Sequence, residues 1–120
     1  MTIFGRILQQ AIDTVPGAQG AVFADWDGET VDAFSPQLGD AGIRLIGAHW
    51  GVIYQLAGGA FEKARLDRIS QLVLRFEAQL VVIRRVTDEY FVVMALAPEA
   101  NLGRALLALE RVAGSLREAM

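Results

Sequence analysis

His49 is the single histidine of this sequence, and there is no cysteine. Transition-metal sites in proteins are built mostly from several histidine and cysteine ligands, so an ordinary site of that kind is excluded. The three serines, Ser35, Ser70 and Ser115, do not stand in a nucleophile-like sequence context for a Ser-His-Asp triad. His49 lies in an apolar segment, and we therefore predict a hydrogen-bonded core or interface histidine rather than a ligand or general base.

Four carboxylates surround one predicted turn: Asp25, Asp27, Glu29 and Asp32. Alternate residues of a strand share a face, so Asp25, Asp27 and Glu29 could together offer a weak site for a divalent cation. The spacing of an EF-hand loop is absent, and a solvated acidic tip is the interpretation that we prefer.

Trp26 stands in the same tip, where burial in a core is difficult. An aromatic side chain ringed by polar groups has the composition of a binding hot spot. We predict that Trp26, Asp27 and Glu29 bind a partner protein. The alternative is that Trp26 folds back on the first helix or the last.

The sequence does not support nucleotide binding, because neither of the phosphate-binding motifs G-x-x-x-x-G-K-[ST] and G-x-G-x-x-G occurs in it. Arg84 and Arg85 are adjacent in a predicted strand and point to opposite faces, so at most one could act as an arginine finger toward a GTPase. We expect a salt bridge or a place at the sheet surface instead. The sequence thus predicts no catalytic residue, no metal and no cofactor.

Composition favours association over enzymatic chemistry. The chain has 120 residues and is 53% hydrophobic, above the ~45–50% usual in soluble domains. The net charge of −3 gives no basic surplus for nucleic acid or anionic lipid. The sequence shows no signal peptide, and its uncharged stretch is shorter than the ~20 residues of a membrane span. We expect a cytoplasmic protein without membrane insertion.

The hydrophobic pattern predicts the order α-β-β-α-β-β-β-α. The first helix, residues 3–15, is capped by Thr2 and ended by Pro16-Gly17. Asp27-Gly28 then indicates a hairpin with a type I′ turn between residues 19–26 and 29–34. The remaining strands are predicted at 69–76, 79–87 and 90–97, followed by a helix that Asn101 caps. The run at 90–97 is continuously apolar, as expected for a central strand covered on both faces.

The central helix, from an Asp40 cap to Ala64 or Arg65, has more apolar surface than one sheet contact requires. It carries no charged residue from Leu45 to Phe61. Its apolar arc is roughly 200°, against the ~100° that one contact needs. We therefore predict a second, intermolecular contact through this helix.

Gly47, Gly51 and Gly58 line one edge of that arc. Aligned glycines allow two helix backbones to approach closely, which favours packing against a second copy across a dimer. The alternative is that the glycines only admit bulky side chains of the sheet.

Two segments and the order of elements resemble the Roadblock/dynein light chain family, which is related to longin and profilin domains. The segments read VPGAQGAVFADWDGETVDAF and YFVVMALAPEANLGRALLALERVA. Within the family, the hairpin and short length are most similar to the bacterial MglB/MglC type. The resemblance implies one α+β domain over residues 1–120. Its five-stranded antiparallel sheet would carry the first and last helices on one face and the long central helix on the other.

The resemblance also implies a homodimer or heterodimer, formed by edge pairing of the third strand with the central helices side by side. The dimer contacts that we predict are Gly47, Trp50, Gly51, Tyr54, Gly58, Gln71, Val73 and Arg75. By resemblance the chain is a non-catalytic adaptor in a Ras-like small-GTPase system of the polarity or motility type. Its partners would be itself, another Roadblock protein or a GTPase regulator. The alternative is a small ligand-binding sensory module of profilin- or PAS-like shape.

Overall fold

Three helices and five strands follow one another in the predicted order. The computed structural model describes residues 2–64 and 68–120. The elements are α1 (Ile3–Thr14), β1 (Ala18–Asp25), β2 (Thr30–Phe34), α2 (Gly39–Lys63), β3 (Gln71–Arg75), β4 (Leu80–Arg85), β5 (Tyr90–Leu96) and α3 (Leu102–Ala119). The predicted α+β class is confirmed. None of the described helices is both long enough and apolar enough to cross a membrane.

The strands form one antiparallel sheet in the order β2-β1-β5-β4-β3. β5 is therefore the middle strand, and every residue from Phe91 to Leu96 is buried. This confirms the prediction made from its continuous apolar run. β2 and β3 are the two edges, and each has one side without a strand neighbour in the sheet.

Alternating side chains of the strands build two cores, one on each face of the sheet. In β1, Ala21 and Phe23 pack with α1 and α3, whereas Val22 and Ala24 pack with α2. This follows from the two-residue period of a strand, which sends successive side chains to opposite faces. The predicted placement of two helices on one face and the long helix on the other is confirmed.

Helix ends follow the capping residues at α1 and α3. The Thr2 hydroxyl accepts a hydrogen bond from Gly5 N–H, and the Asn101 side chain accepts one from Arg104 N–H. Both caps satisfy backbone donors that a helix start leaves unpaired. Both were predicted, and both are confirmed.

The start of α2 differs from the prediction. The helix begins at Gly39, and Leu38 occupies the cap position without a side-chain hydrogen bond, so Asp40 is not the cap. Asp40 lies in the first turn, where a carboxylate favours the positive end of the helix dipole, and pairs with Arg44 at 2.9 Å. The helix ends at Lys63, beside the predicted end at Ala64; Arg65, the other predicted end, lies outside the described residues.

The β1–β2 turn is longer than the predicted two-residue type I′ turn. Gly28 N–H donates to Asp25 O and Asp25 N–H donates to Glu29 O, which leaves a three-residue loop, Trp26 to Gly28. The Asp25 carboxylate accepts from the amides of Asp27 and Glu29 at 3.0 Å each. These local bonds stabilise the longer turn, and Gly28 takes the positive φ of +85° that closes it.

Candidate functional site: the outer face of the central helix and the cleft beside Trp26

The inner face of α2 approaches the sheet at two glycines. A Cβ atom at Gly47 would stand 2.5 Å from Val22 Cγ1, and one at Gly51 would stand 2.7 Å from Phe91 Cζ. Both glycines are buried, and the sheet side chains fill the space beside them. The prediction of Gly47 and Gly51 as dimer contacts is therefore wrong, and the alternative, that they admit bulky sheet residues, is correct for these two.

Tyr54 continues this inner face and is only 5% exposed. Its hydroxyl donates to the backbone carbonyl of Ile69. Burial raises the pKa of Tyr54 above 10.0, while the nearby charge of Arg85 acts in the opposite direction. Because the side chain is buried within the chain, the prediction of Tyr54 as a dimer contact is also wrong.

The outer face of α2, defined here as Leu45, His49, Val52 and Leu56, carries the apolar surplus. Leu45 is 72% exposed, Val52 55% and Leu56 70%. His49 is exposed between them, with its ring edge-on to Trp50, so its predicted place in a core is wrong. An interface role for His49 stays a prediction. A helix that buries one face in its own sheet thus presents a second apolar face to solvent.

Two of the predicted dimer contacts on α2 remain accessible. Trp50 is half-buried, with its ring centroid 5.6 Å from that of Phe76 just beyond β3. A Cβ built on Gly58 would meet no described side chain within 4 Å. The contact between Trp50 and Phe76 links the outer half of α2 to the β3 edge.

The three predicted dimer contacts of β3 have their side chains on the face of the sheet opposite α2. Gln71, Val73 and Arg75 pair in register with Arg84, Val82 and Leu80, and Val82 and Leu80 belong to the core under α1 and α3. Val73 is exposed, Gln71 accepts from Arg84 Nη1 at 3.0 Å, and Arg75 donates to Pro98 O. These residues would therefore contact a partner through the backbone edge of β3, and their side chains would not lie beside α2.

Trp26 does not protrude from the hairpin tip. Its ring stacks on Tyr54 at a centroid distance of 4.9 Å and on Phe91 at 4.7 Å. Its indole N–H donates to Asp88 O at 2.7 Å. The prediction of a protruding aromatic is therefore wrong. So is the stated alternative, because Trp26 packs on α2 and β5 rather than on the first or last helix.

The acidic residues of the hairpin serve local structure or face solvent. Asp25 is occupied by the turn amides, and Asp27 and Glu29 are exposed at the tip. Asp32 accepts from the Thr2 hydroxyl and from Ala33 N–H. Burial acts to raise the pKa of Asp32, but these hydrogen bonds outweigh it and hold the pKa below 3.8. Within residues 2–64 and 68–120, no three His, Cys, Asp or Glu side chains gather as metal ligands would.

A cleft of about 380 Å³ lies beside Trp26, under the last turns of α2. Its lining residues are Trp26, Tyr54, Gln55, Gly58, Gly59, Glu62, Arg68, Ile69, Arg85 and Asp88. Sequence reasoning missed this cleft. The available signal was the pair Gly58-Gly59, two consecutive glycines in a helix interior, where each costs ~1 kcal/mol relative to alanine.

The opposite orientation of the two adjacent arginines is confirmed. Arg84 lies with Gln71 on the side of α1 and α3. Arg85, the next residue, is half-buried and lines the cleft on the α2 side.

Solved structures share this arrangement of sheet and helices over nearly the whole chain. A Roadblock/LC7 domain from Streptomyces avermitilis superposes with a TM-score of 0.88 at 16% identity, covering 96% of this chain and 95% of that chain. The chain has the Roadblock/LC7 fold. MglC from Myxococcus xanthus has a TM-score of 0.72 at 24% identity, with 98% of each chain covered. MglB from Myxococcus xanthus has a TM-score of 0.88 at 11% identity, covering 99% of this chain and 95% of that chain.

The resemblance drawn from sequence is thereby confirmed at the level of the fold. No protein-family model and no curated protein matches the sequence. Three surfaces of this fold are candidates for binding: the outer face of α2, the β3 edge and the cleft beside Trp26.

Proposed function

We propose that this Roadblock-fold chain is a non-catalytic adaptor that dimerises, with itself or with another Roadblock protein, through the outer face of α2 and the edge of β3. It would act in a Ras-like small-GTPase regulatory system of the polarity or motility type. The observation that carries the proposal is the row of exposed apolar side chains at Leu45, Val52 and Leu56.

Hydrophobic burial supplies the driving force. Each large aliphatic side chain gains about 1.5–3 kcal/mol when it moves from water into an apolar contact. The three side chains recur at intervals of seven and four residues, so they form one stripe along the helix. A second α2 laid along this stripe would cover it, with His49 inside the interface.

The edge of β3 offers a second, polar contribution. An edge strand has backbone N–H and C=O groups that can pair with another strand. Val73 and Phe76 are both exposed there, which adds apolar area beside the backbone hydrogen bonds. The same edge pairing is what the family resemblance implies.

The GTPase connection rests on the sequence resemblance and on the shared fold with MglB and MglC. A fold does not by itself carry a function, so the partner requires its own test. The alternative of a ligand-binding sensory module would need space between α2 and the sheet. Val22 and Phe91 fill that space at Gly47 and Gly51, although the cleft beside Trp26 remains open under the last turns of α2. The row of exposed apolar side chains on the outer face of α2 favours the adaptor.

Affinity capture from the cell that makes this protein tests the proposal. The wild-type chain should retain a Ras-like GTPase, a regulator of one, or another Roadblock protein. A Leu45→Lys/Leu56→Lys double variant should lose whichever partner binds through α2. Leu107→Lys, at an exposed leucine of α3, is the matched control and should behave as wild type. Recovery of none of these protein classes by the wild-type chain would contradict the proposal.

A further inference from the structure

We propose that the cleft beside Trp26 binds an acidic peptide segment of a partner protein, with Arg85 holding a carboxylate and with Trp26 and Tyr54 contacting its apolar neighbour. The inference extends the proposed function, since it rests on the chain being an adaptor for proteins. It concerns a surface separate from the outer face of α2.

The space of the cleft is maintained by glycines that the chain's own packing does not require. Gly47 and Gly51 are explained by Val22 and Phe91, which would clash with any Cβ. A Cβ built at Gly58 or Gly59 meets no other part of residues 2–64 and 68–120 within 4 Å, the adjoining helix backbone aside. Alanine would therefore fit among the described residues at both positions and would favour the helix by ~1 kcal/mol each. Side chains larger than alanine at these two positions would fill the empty volume of the cleft.

The apolar wall of the cleft is held in place by contacts within the chain. Trp26 is fixed by stacking on Tyr54 and Phe91 and by its hydrogen bond to Asp88 O. Tyr54 is fixed by its bond to Ile69 O. A wall ordered before binding avoids the cost of immobilising side chains on association. The volume of about 380 Å³ is at the lower end of the ~300–1,000 Å³ typical of ligand pockets, which suits one or two side chains of a peptide.

Arg85 supplies the charge. Its backbone N–H donates to Ser70 O at 2.9 Å, which fixes the residue in the sheet, but its guanidinium has no hydrogen bond or ion pair to any described residue. Arg84, its neighbour on the other face, donates to Gln71. A guanidinium presents five N–H donors in a fork that matches a carboxylate. A half-buried fork without an acceptor, next to an apolar wall, is complementary to an acidic side chain.

The other charges of the cleft limit the ligand to a single anion. Asp88 is paired with Arg68 at 2.7 Å. Glu62 is exposed on the last turn of α2 and would repel a polyanion. The net charge of −3 acts in the same direction. Together these favour one carboxylate beside an apolar residue over a nucleic acid or an acidic membrane.

Fluorescence anisotropy with labelled peptides tests the inference. The probes are fluorescein-labelled peptides that place aspartate after Leu, Val, Phe or Tyr between glycines, each with an asparagine counterpart. At least one aspartate peptide should bind saturably to the wild-type chain. Its affinity should exceed that of the asparagine form by about tenfold or more, because hydrogen bonds to charged groups are the stronger ones. Equal binding of both forms, or none, would overturn the inference.

Two variants locate the site. Arg85→Gln should abolish the preference for aspartate, whereas Arg84→Gln, on the opposite face of the same strand, should keep it. Gly58→Leu should fill the cleft and prevent binding without lowering the melting temperature. Gly42→Leu, where a Cβ meets only an ordinary contact with Leu38 at 3.5 Å, should bind as wild type. Binding that survives both Arg85→Gln and Gly58→Leu would overturn the proposed site.

Two further readouts separate the possible outcomes. Complete displacement of the peptide by inorganic phosphate with an affinity equal to that of the peptide would show a site for a free anion and contradict the peptide assignment. Measuring molecular mass in the same samples separates this inference from the proposed function. A dimer that binds no acidic peptide contradicts the cleft, while a monomer that binds one supports the cleft and contradicts the dimer.

Discussion

The ring of Phe91 occupies the place where a side chain at Gly51 would stand, with Phe91 Cζ 2.7 Å from a Cβ built at position 51. Phe91 is fully buried and is stacked against Trp26, so the ring cannot move aside without disturbing the α2 core. The glycine therefore sets the distance between α2 and the sheet.

Gly51→Ala should lower the free energy of unfolding by about 1–3 kcal/mol, the usual cost of overpacking a core. Gly58→Ala is the matched control, since it adds the same methyl group to the same helix at a position where no described side chain lies within 4 Å. It should raise stability by up to ~1 kcal/mol through helix propensity. Urea unfolding of both variants measures the difference, and similar effects of the two would refute the role of Phe91.

Trp26→Ala should destabilise the fold by about 2–3 kcal/mol, less than the ~3–5 kcal/mol of a fully buried aromatic because Trp26 is half-buried. The variant loses two ring stacks and the hydrogen bond to Asp88 O. Asp27→Ala, at the exposed tip next to it, should change stability by no more than about 0.5 kcal/mol. Thermal unfolding compares them. A melting temperature unchanged by Trp26→Ala would show that the aromatic stack contributes nothing.

Tyr54 gives the fold a dependence on alkaline pH. Its pKa is raised above 10.0 by burial, so above pH 10.0 the folded chain holds this proton more tightly than the unfolded chain does. The stabilisation is complete below pH 10.0 and is lost as pH rises through the folded pKa. Tyr54→Phe should remove the part of the alkaline loss of stability that is due to this hydroxyl. At neutral pH the variant should be less stable by ~1 kcal/mol, because it lacks the hydrogen bond to Ile69 O. Denaturant unfolding across alkaline pH should give a smaller decline for the variant; parallel curves would be the contrary result.

The isolated chain should neither bind nor hydrolyse guanine nucleotides. No phosphate-binding glycine loop occurs in the sequence. Equilibrium dialysis with a labelled guanine nucleotide should show no saturable binding, and saturable uptake would refute the proposal of an adaptor without its own nucleotide site.

Sequence periodicity predicted the order of the helices and strands, whereas the five-stranded sheet and the placement of the helices on its two faces were implied by the family resemblance. The alternation in β1 and the continuous apolar run of β5 determine which faces are buried, and the Thr2 and Asn101 caps locate two helix starts. The start of α2 was misplaced because Asp40 satisfies the composition rule for a cap while the chain enters the helix through Gly39, at a φ of +74°.

The candidate site was less accessible to sequence reasoning, because it depends on contacts between distant residues. Helical spacing correctly indicated that α2 has too much apolar surface, but it could not distinguish the face that meets Val22 and Phe91 from the face that meets solvent. The hairpin pattern located Trp26 at a tip but gave no sign of Tyr54, which stacks on it from another element. That the Arg85 guanidinium has no hydrogen-bond partner among the described residues likewise depends on which side chains the sheet brings near it.

Sedimentation equilibrium at micromolar concentration tests the central claim, that the outer face of α2 is an association surface. The wild-type chain should have about twice its chain mass of 13.0 kDa. The Leu45→Lys/Leu56→Lys variant should sediment as a folded monomer that still unfolds in one cooperative thermal transition, because both leucines are exposed in the single chain. Leu107→Lys should remain dimeric. A wild-type chain that stays at 13.0 kDa throughout this range, or a double variant that is still a dimer, would contradict the account.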